Sequence, residues 1–285
     1  GSGGGHHHHH HHDVDAADLD ELNALAAEAM LDPAAIERVF TSSVALNGNA
    51  ILHFVEALCA VSTEEIATEK RLFSLLKLVD VAYYNMNRIR WVWSQVWRVL
   101  AEHFERVGCH ADMRIAMTSI DSLRQLSQKF LLRDELANFE FQKDFLRPFE
   151  RVMLGKPTLA IRELVIQCVS QMVYARATNI RSGWKSIFAV YTAAASDPDE
   201  SIVLLAFETV EKIMKDFFDV IAHAFFVDCV NCLAAYGNNN LFKEIGLKAI
   251  RSLEYCARQL GAGKVLLLDD VDGDGGGTGG GGGTG

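Results

Sequence analysis

The feature that most constrains this chain is a recurrence. Candidate helix starts at Thr158, Asp199 and Asn240 lie about 41 residues apart, and Asp112 stands about one further period upstream at a slightly longer interval. Pro157 and Pro198 mark equivalent turns, and each leading segment is followed by an apolar partner, 180–195 after the first and 216–236 after the second. Paired helices at a period of roughly 40 to 47 residues are the signature of HEAT or armadillo repeats. No run of alternating β-branched residues argues for strands. The expectation is an all-α, HEAT/armadillo-like α-solenoid of paired antiparallel helices, in which each pair buries its apolar face on its neighbours.

Upstream, the same reading supplies more helices. Leu19, Leu22, Leu25, Ala26 and Ala29 predict a helix over 18–31. Asp32-Pro33 reads as an N-cap followed by proline at the first helical position. Asn47-Gly48-Asn49 breaks that helix, and the next is expected to end before Ser62, which pairs with Glu65 as a capping box. Ile89, Trp93, Val96, Trp97, Leu100, Phe104 and Val107 share one stripe and predict core. Pro148 lacks an amide hydrogen, so the helix over 141–154 should start or kink at Arg147.

The ends differ from the middle. Gly1 to His12 reads as an affinity tag or a disordered Gly/His-rich segment (1–17), 269–285 as a disordered Gly-rich tail, and 18–268 as a single solenoid domain. The net charge of −10 sits at those ends: 13–38 carries eight acids and one base, while 39–268 carries 25 acids and 26 bases. Within that near-neutral middle, 143–185 has eight bases against three acids, and 197–228 has eight acids against two bases. Such opposed patches suit protein partners and an anionic membrane surface rather than nucleic acid. The six cysteines fall mostly in apolar helical runs and read as reduced.

Catalytic chemistry finds little support. Cys229-x-x-Cys232 with His223 nearby lies inside a helical run with no second pair at finger spacing, so two small core residues are the better reading. Gly261-Ala262-Gly263-Lys264 lacks the phosphate-loop pattern and reads as a helix terminus. Surface candidates are clearer. Arg88, Trp91, Gln95, Arg98 and Glu102 share a stripe away from the core stripe, so Trp91 beside Arg88, Arg90 and Arg98 is an interaction anchor unless a neighbouring helix covers it. Asp121, Arg124 and Gln125 form the polar side of the next helix, in a stretch, 121–150, where aromatic and charged residues interleave. At 179–185, Gly183 in a first helical turn costs about 1 kcal/mol relative to Ala. Either another backbone approaches closely there, or Arg181, Trp184 and Lys185 meet a partner.

Four ordered motifs carry a resemblance: Tyr83-Tyr84-Asn85-Met86-Asn87-Arg88-Ile89-Arg90, Asp121-Ser122-Leu123-Arg124-Gln125-Leu126-Ser127, Phe141 to Glu150, and Asn179-Ile180-Arg181-Ser182-Gly183-Trp184-Lys185. From about Ile36 to Leu260 the chain resembles the large brefeldin-A-inhibited (BIG) class of Arf guanine-nucleotide exchange factors, in the helical regulatory region downstream of the catalytic exchange domain. Two places depart from that pattern: Trp91-Val92 stands for an ordinary apolar-polar pair, and Thr118-Ser119 for an aromatic followed by Ala. The resemblance implies a non-catalytic segment, without the exchange domain and with no catalytic residue, cofactor, metal or small-molecule substrate. It implies a GTP-form Arf-family GTPase, a membrane surface and other domains of the parent factor as partners, at the cytoplasmic face of trans-Golgi or endosomal membranes. The alternative is a generic helical-repeat scaffold for coat or adaptor proteins.

Overall fold

The computed structural model describes residues 20–22, 32–135 and 140–265, and every element described is helical. In chain order the helices are α1 (Pro33–Thr41), α2 (Gly48–Glu69), α3 (Phe73–Asn85), α4 (Arg90–Gly108), α5 (Met113–Leu131), α6 (Phe141–Leu154), α7 (Leu159–Arg176), α8 (Gly183–Ala194), α9 (Glu200–Asp216), α10 (Phe218–Ala224), α11 (Phe226–Gly237) and α12 (Lys243–Gly261). Alternate helices pack on one another as far as α9, after which α8 packs on α11 and α9 on α12, and from α2 onward each helix also packs on its immediate neighbour. The row α1, α3, α5, α7, α9, α12 therefore forms one layer, and α2, α4, α6, α8, α11 the other. That is the two-layer solenoid the period predicts. The segments expected over 1–17 and 269–285 lie outside the described residues, as does most of the helix expected over 18–31.

The period reappears in the hydrogen bonds. Asn85 Nδ2 donates to Ser43 Oγ at 2.9 Å, Arg133 Nη1 to the Met86 carbonyl at 2.6 Å, and Asn179 Nδ2 to the Leu131 carbonyl at 2.9 Å. On the opposite edge Arg114 Nη2 reaches the Lys70 carbonyl, and Asn239 Nδ2 the Ala195 carbonyl, each at 2.9 Å. Loops that would otherwise carry unpaired carbonyls are thus stitched to the equivalent loop one repeat away.

Between layers the core is aromatic at its centre. Phe145 lies between the rings of Trp97 and Phe130, at 4.0 and 4.2 Å between centroids and within 10° and 6° of parallel. This stack joins α4, α5 and α6, and its offset or parallel contacts add to ordinary burial.

Five expectations need correction. Helix α2 does not stop before Ser62; it runs on to Glu69, because Ser62 is buried with its hydroxyl 2.8 Å from His103 Nε2 of α4. Glu65 does not close a capping box but accepts from the backbone N–H and the hydroxyl of Ser74, satisfying the start of α3 instead. Ile89 leaves the core stripe: it precedes α4 with extended backbone and is 72% exposed. Helix α6 begins at Phe141 and passes through Pro148. The missing proline amide would have served the Asp144 carbonyl, which instead accepts from Trp97 Nε1 at 3.4 Å. Finally, the partner of α9 is not one helix but two, α10 and α11, bent by 111°.

Candidate functional site

The first turn of α4 carries Trp91 outward at 73% exposure, so no neighbouring helix covers it. The reason is periodicity. Trp93, two residues on and roughly 200° round the helix, takes the inward place and packs with Trp97 and Phe145. Arg98, seven residues after Trp91, shares its side of the helix and is exposed. Between α4 and α6 runs a groove of about 410 Å³, lined by Arg90, Arg98, Arg147 and Arg151 together with Glu102, Glu105 and Asp144.

The groove's charges are partly matched. Arg147 pairs with Asp144 at 2.7 Å and Arg151 with Glu105 at 3.6 Å. Burial pushes the Glu105 carboxyl up, and Arg151 pulls it back toward the ionised form. The Arg147–Asp144 pair is exposed and contributes little stability, about 0 to 1 kcal/mol, so the Arg147 guanidinium can be re-paired by an incoming acid at small cost. Arg147 and Arg151 were not singled out in the sequence, although their spacing of four on α6 mirrors that of Arg90, Ser94 and Arg98 on α4. The signal was present but needed the knowledge that α4 and α6 share a layer.

The other sequence-predicted residues do not join this groove as one patch. Arg88 is half-buried and committed to the preceding loop: Nη2 donates to the carbonyls of Ser43, Val44 and Leu46, and Nε to Asn85 Oδ1. Desolvation there lowers its pKa. Asp121, Arg124 and Gln125 come together, but on α5 in the opposite layer. Arg124 Nε and Gln125 Nε2 each reach an Asp121 oxygen at 2.8 Å.

At the start of α8 the two readings separate cleanly. Trp184 is fully buried and offers nothing to a partner. A Cβ on Gly183 would meet Leu146 Cδ1 at 3.0 Å and Gln142 Oε1 at 3.2 Å, so the glycine is there for the close approach of α6. Arg181 is exposed and donates to the Thr178 and Ile180 carbonyls, while Lys185 is half-buried beside a shallow groove with Glu150 and Asp228.

Apparent chemistry elsewhere is structural. Ser62 and His103 resemble a nucleophile and base, yet both are buried, and burial with nearby Arg106 lowers the imidazole pKa to about 4. Cys229 and Cys232 are core residues of α11, as expected, and burial raises the Cys232 thiol to about 12. The 261–264 segment is indeed a helix terminus: Gly263 takes φ +71° and Lys264 N donates back to the Gln259 carbonyl, a left-handed C-terminal closure.

The family model described as "Mon2/Sec7/BIG1-like, HDS" matches residues 129–212. Brefeldin A-inhibited guanine nucleotide-exchange protein 3 of Arabidopsis thaliana is 51% identical over 235 residues, covering 81% of this chain and 13% of that protein. The protein 1 of Homo sapiens bearing the same name is 50% identical over 229 residues, covering 79% of this chain and 12% of its own length. The chain belongs with the brefeldin A-inhibited guanine nucleotide-exchange proteins. It spans about an eighth of the length of these relatives, and is a segment of a large exchange factor. Within this exchange-protein segment the HDS match runs from the end of α5 through α6, α7 and α8 into α9, so the α6 wall of the groove and the buried Gly183-Trp184 contact both fall inside it.

Proposed function

We propose that this segment acts as a non-catalytic binding module of a large Arf guanine-nucleotide exchange factor. Its α4 face, with Trp91, Arg98 and the arginine-lined groove beside them, engages a GTP-loaded Arf-family GTPase, and so contributes to recruitment to Golgi or endosomal membranes, to autoregulation, or to both. The observation that carries this reading is Trp91: a large aromatic side chain held on a rigid helix at 73% exposure, beside guanidinium groups, has the composition of an interface hot spot. Family membership supplies the class of partner.

The test is co-flotation of the purified chain with liposomes carrying Arf in either nucleotide state. Recovery should be greater with the GTP form, and Trp91→Ala or Arg98→Glu should remove most of the difference. Equal recovery with both forms, insensitive to these changes, would retire the reading. In a nucleotide-release assay the same chain should not accelerate exchange.

A further inference from the structure

In the layer opposite α4, helices α9 and α12 leave between them a groove of about 520 Å³. Met214 and the ring of Tyr255 give it an apolar floor, and Tyr255 is held edge-on against Phe218 at 5.1 Å between ring centroids. Lys215, Lys248 and Arg251 line it with positive charge, against one acid, Glu211. Among the described residues none of these three cations forms an ion pair or a side-chain hydrogen bond, whereas Arg147 and Arg151 of the α4–α6 groove are both paired. The α9–α12 groove therefore suits an occupant that is acidic and apolar at once.

The chain itself supplies that composition. Where α12 closes, Gly263 at φ +71° and the bond from Lys264 N to the Gln259 carbonyl turn the backbone back, and Val265 packs partly buried against the core. From there the sequence continues Leu266-Leu267-Leu268-Asp269-Asp270-Val271-Asp272. Arg251 and Lys248 lie about 12 and 17 Å back along α12 from Gln259, at about 1.5 Å per helical residue. Asp269 and Asp270 lie about 13 and 17 Å beyond Val265, at about 3.3 Å per extended residue. The two spacings coincide. The same register carries the three leucines past Tyr255, where they gain by leaving water. Tethered at Val265, this segment is presented to the groove at an effective concentration on the order of mM, which an acidic peptide from elsewhere has to exceed.

We infer that the α9–α12 groove is the seat of the chain's own segment 266–272. The segment runs back along α12, its leucines cover Met214 and Tyr255, and Asp269 and Asp270 accept charge-assisted hydrogen bonds from Arg251 and Lys248. It thereby straps α12 to α9. The site shares no residue with the α4 face, so it stands whether or not that face binds a GTPase.

The experiment uses the full chain with ¹³C-methyl-labelled methionine and a nitroxide attached at Asp272→Cys. Cys109→Ser removes the exposed native thiol, and the other five cysteines are buried. The Met214 methyl resonance, assigned by its loss in Met214→Leu, should be broadened away by the nitroxide, while Met86 and Met113, farther along the array, keep their signals. Lys248→Glu combined with Arg251→Glu should restore the Met214 signal. Adding Asp269→Lys and Asp270→Lys to that pair should broaden it again, a recovery that a misfolded variant could not show. In a mixture of spin-labelled chain without ¹³C and ¹³C-labelled chain without the nitroxide, Met214 should keep its signal. An unbroadened Met214 in the first sample, broadening that survives the charge reversal, no return of broadening on the swap, or broadening in the mixture, which would place a second copy's segment in the groove, would each overturn the inference.

Discussion

The starts of α4 and α8 look alike in sequence and differ in the folded protein. Both place a tryptophan among basic residues at the same edge of the same layer. In Arg90-Trp91 the ring points outward at 73% exposure; in Gly183-Trp184-Lys185 it is fully enclosed. What separates them lies within two residues of each ring. α4 fills its inward position with Trp93, which forces Trp91 out. α8 instead uses Gly183 to let α6 approach, and Trp184 enters the core against Phe188 and Phe217. An aromatic beside arginines is thus left at the surface when another side chain already occupies the helix's inward seat.

The contrast can be broken by truncation. Trp184→Ala should lower stability by about 3 to 5 kcal/mol, the usual cost of emptying a buried aromatic site. Trp91→Ala should stay within about 0.5 kcal/mol while losing GTPase-dependent flotation. Urea unfolding of both variants measures this, and equal losses would erase the distinction.

Acid sharpens it further. His103 ties α4 to α2 and has its pKa lowered to about 4, against about 6.5 for a free imidazole. Between those values the unfolded chain takes up a proton that the folded one refuses. Stability therefore falls as the pH drops from about 6.5 toward 4, by up to about 3 kcal/mol. Hydrogen exchange should show α4 and α2 losing protection across that window more than α8, and His103→Gln should flatten the dependence.

Smaller effects come from the α8 seat itself. Gly183→Val must displace Leu146 or Gln142 and should cost about 1 to 3 kcal/mol. Glu135→Gln weakens the acceptor for Ser182 and should cost about 1 kcal/mol or somewhat more, read by the same urea titration.

Much of the architecture was legible in the sequence because a solenoid repeats its instructions: the prolines at 157 and 198, the N-caps Asp32 and Asp112, and the inward stripe of α4 each appear where spacing put them. The misreadings share a physical cause. Ser62 looked like a helix start because its partner, His103, is 41 residues away on another helix. Pro148 looked like a boundary because the group that serves the freed carbonyl, Trp97, is 47 residues away. The candidate site divided for a related reason. Asp121, Arg124 and Gln125 share a helix face with one another, but membership of a layer is decided by how helices alternate, which no single motif displays.

The stitches between equivalent loops carry one more consequence. Among the described residues, no side-chain hydrogen bond joins positions more than 48 apart. Every seam is therefore held by contacts that close after about one repeat, and loop-closure entropy is small and nearly the same at each. Such a chain folds by zipping, and once folded it behaves as an elastic strip: curvature at one seam can change without rupturing the next, and a load at α4 reaches α12 only by passing through each seam between them.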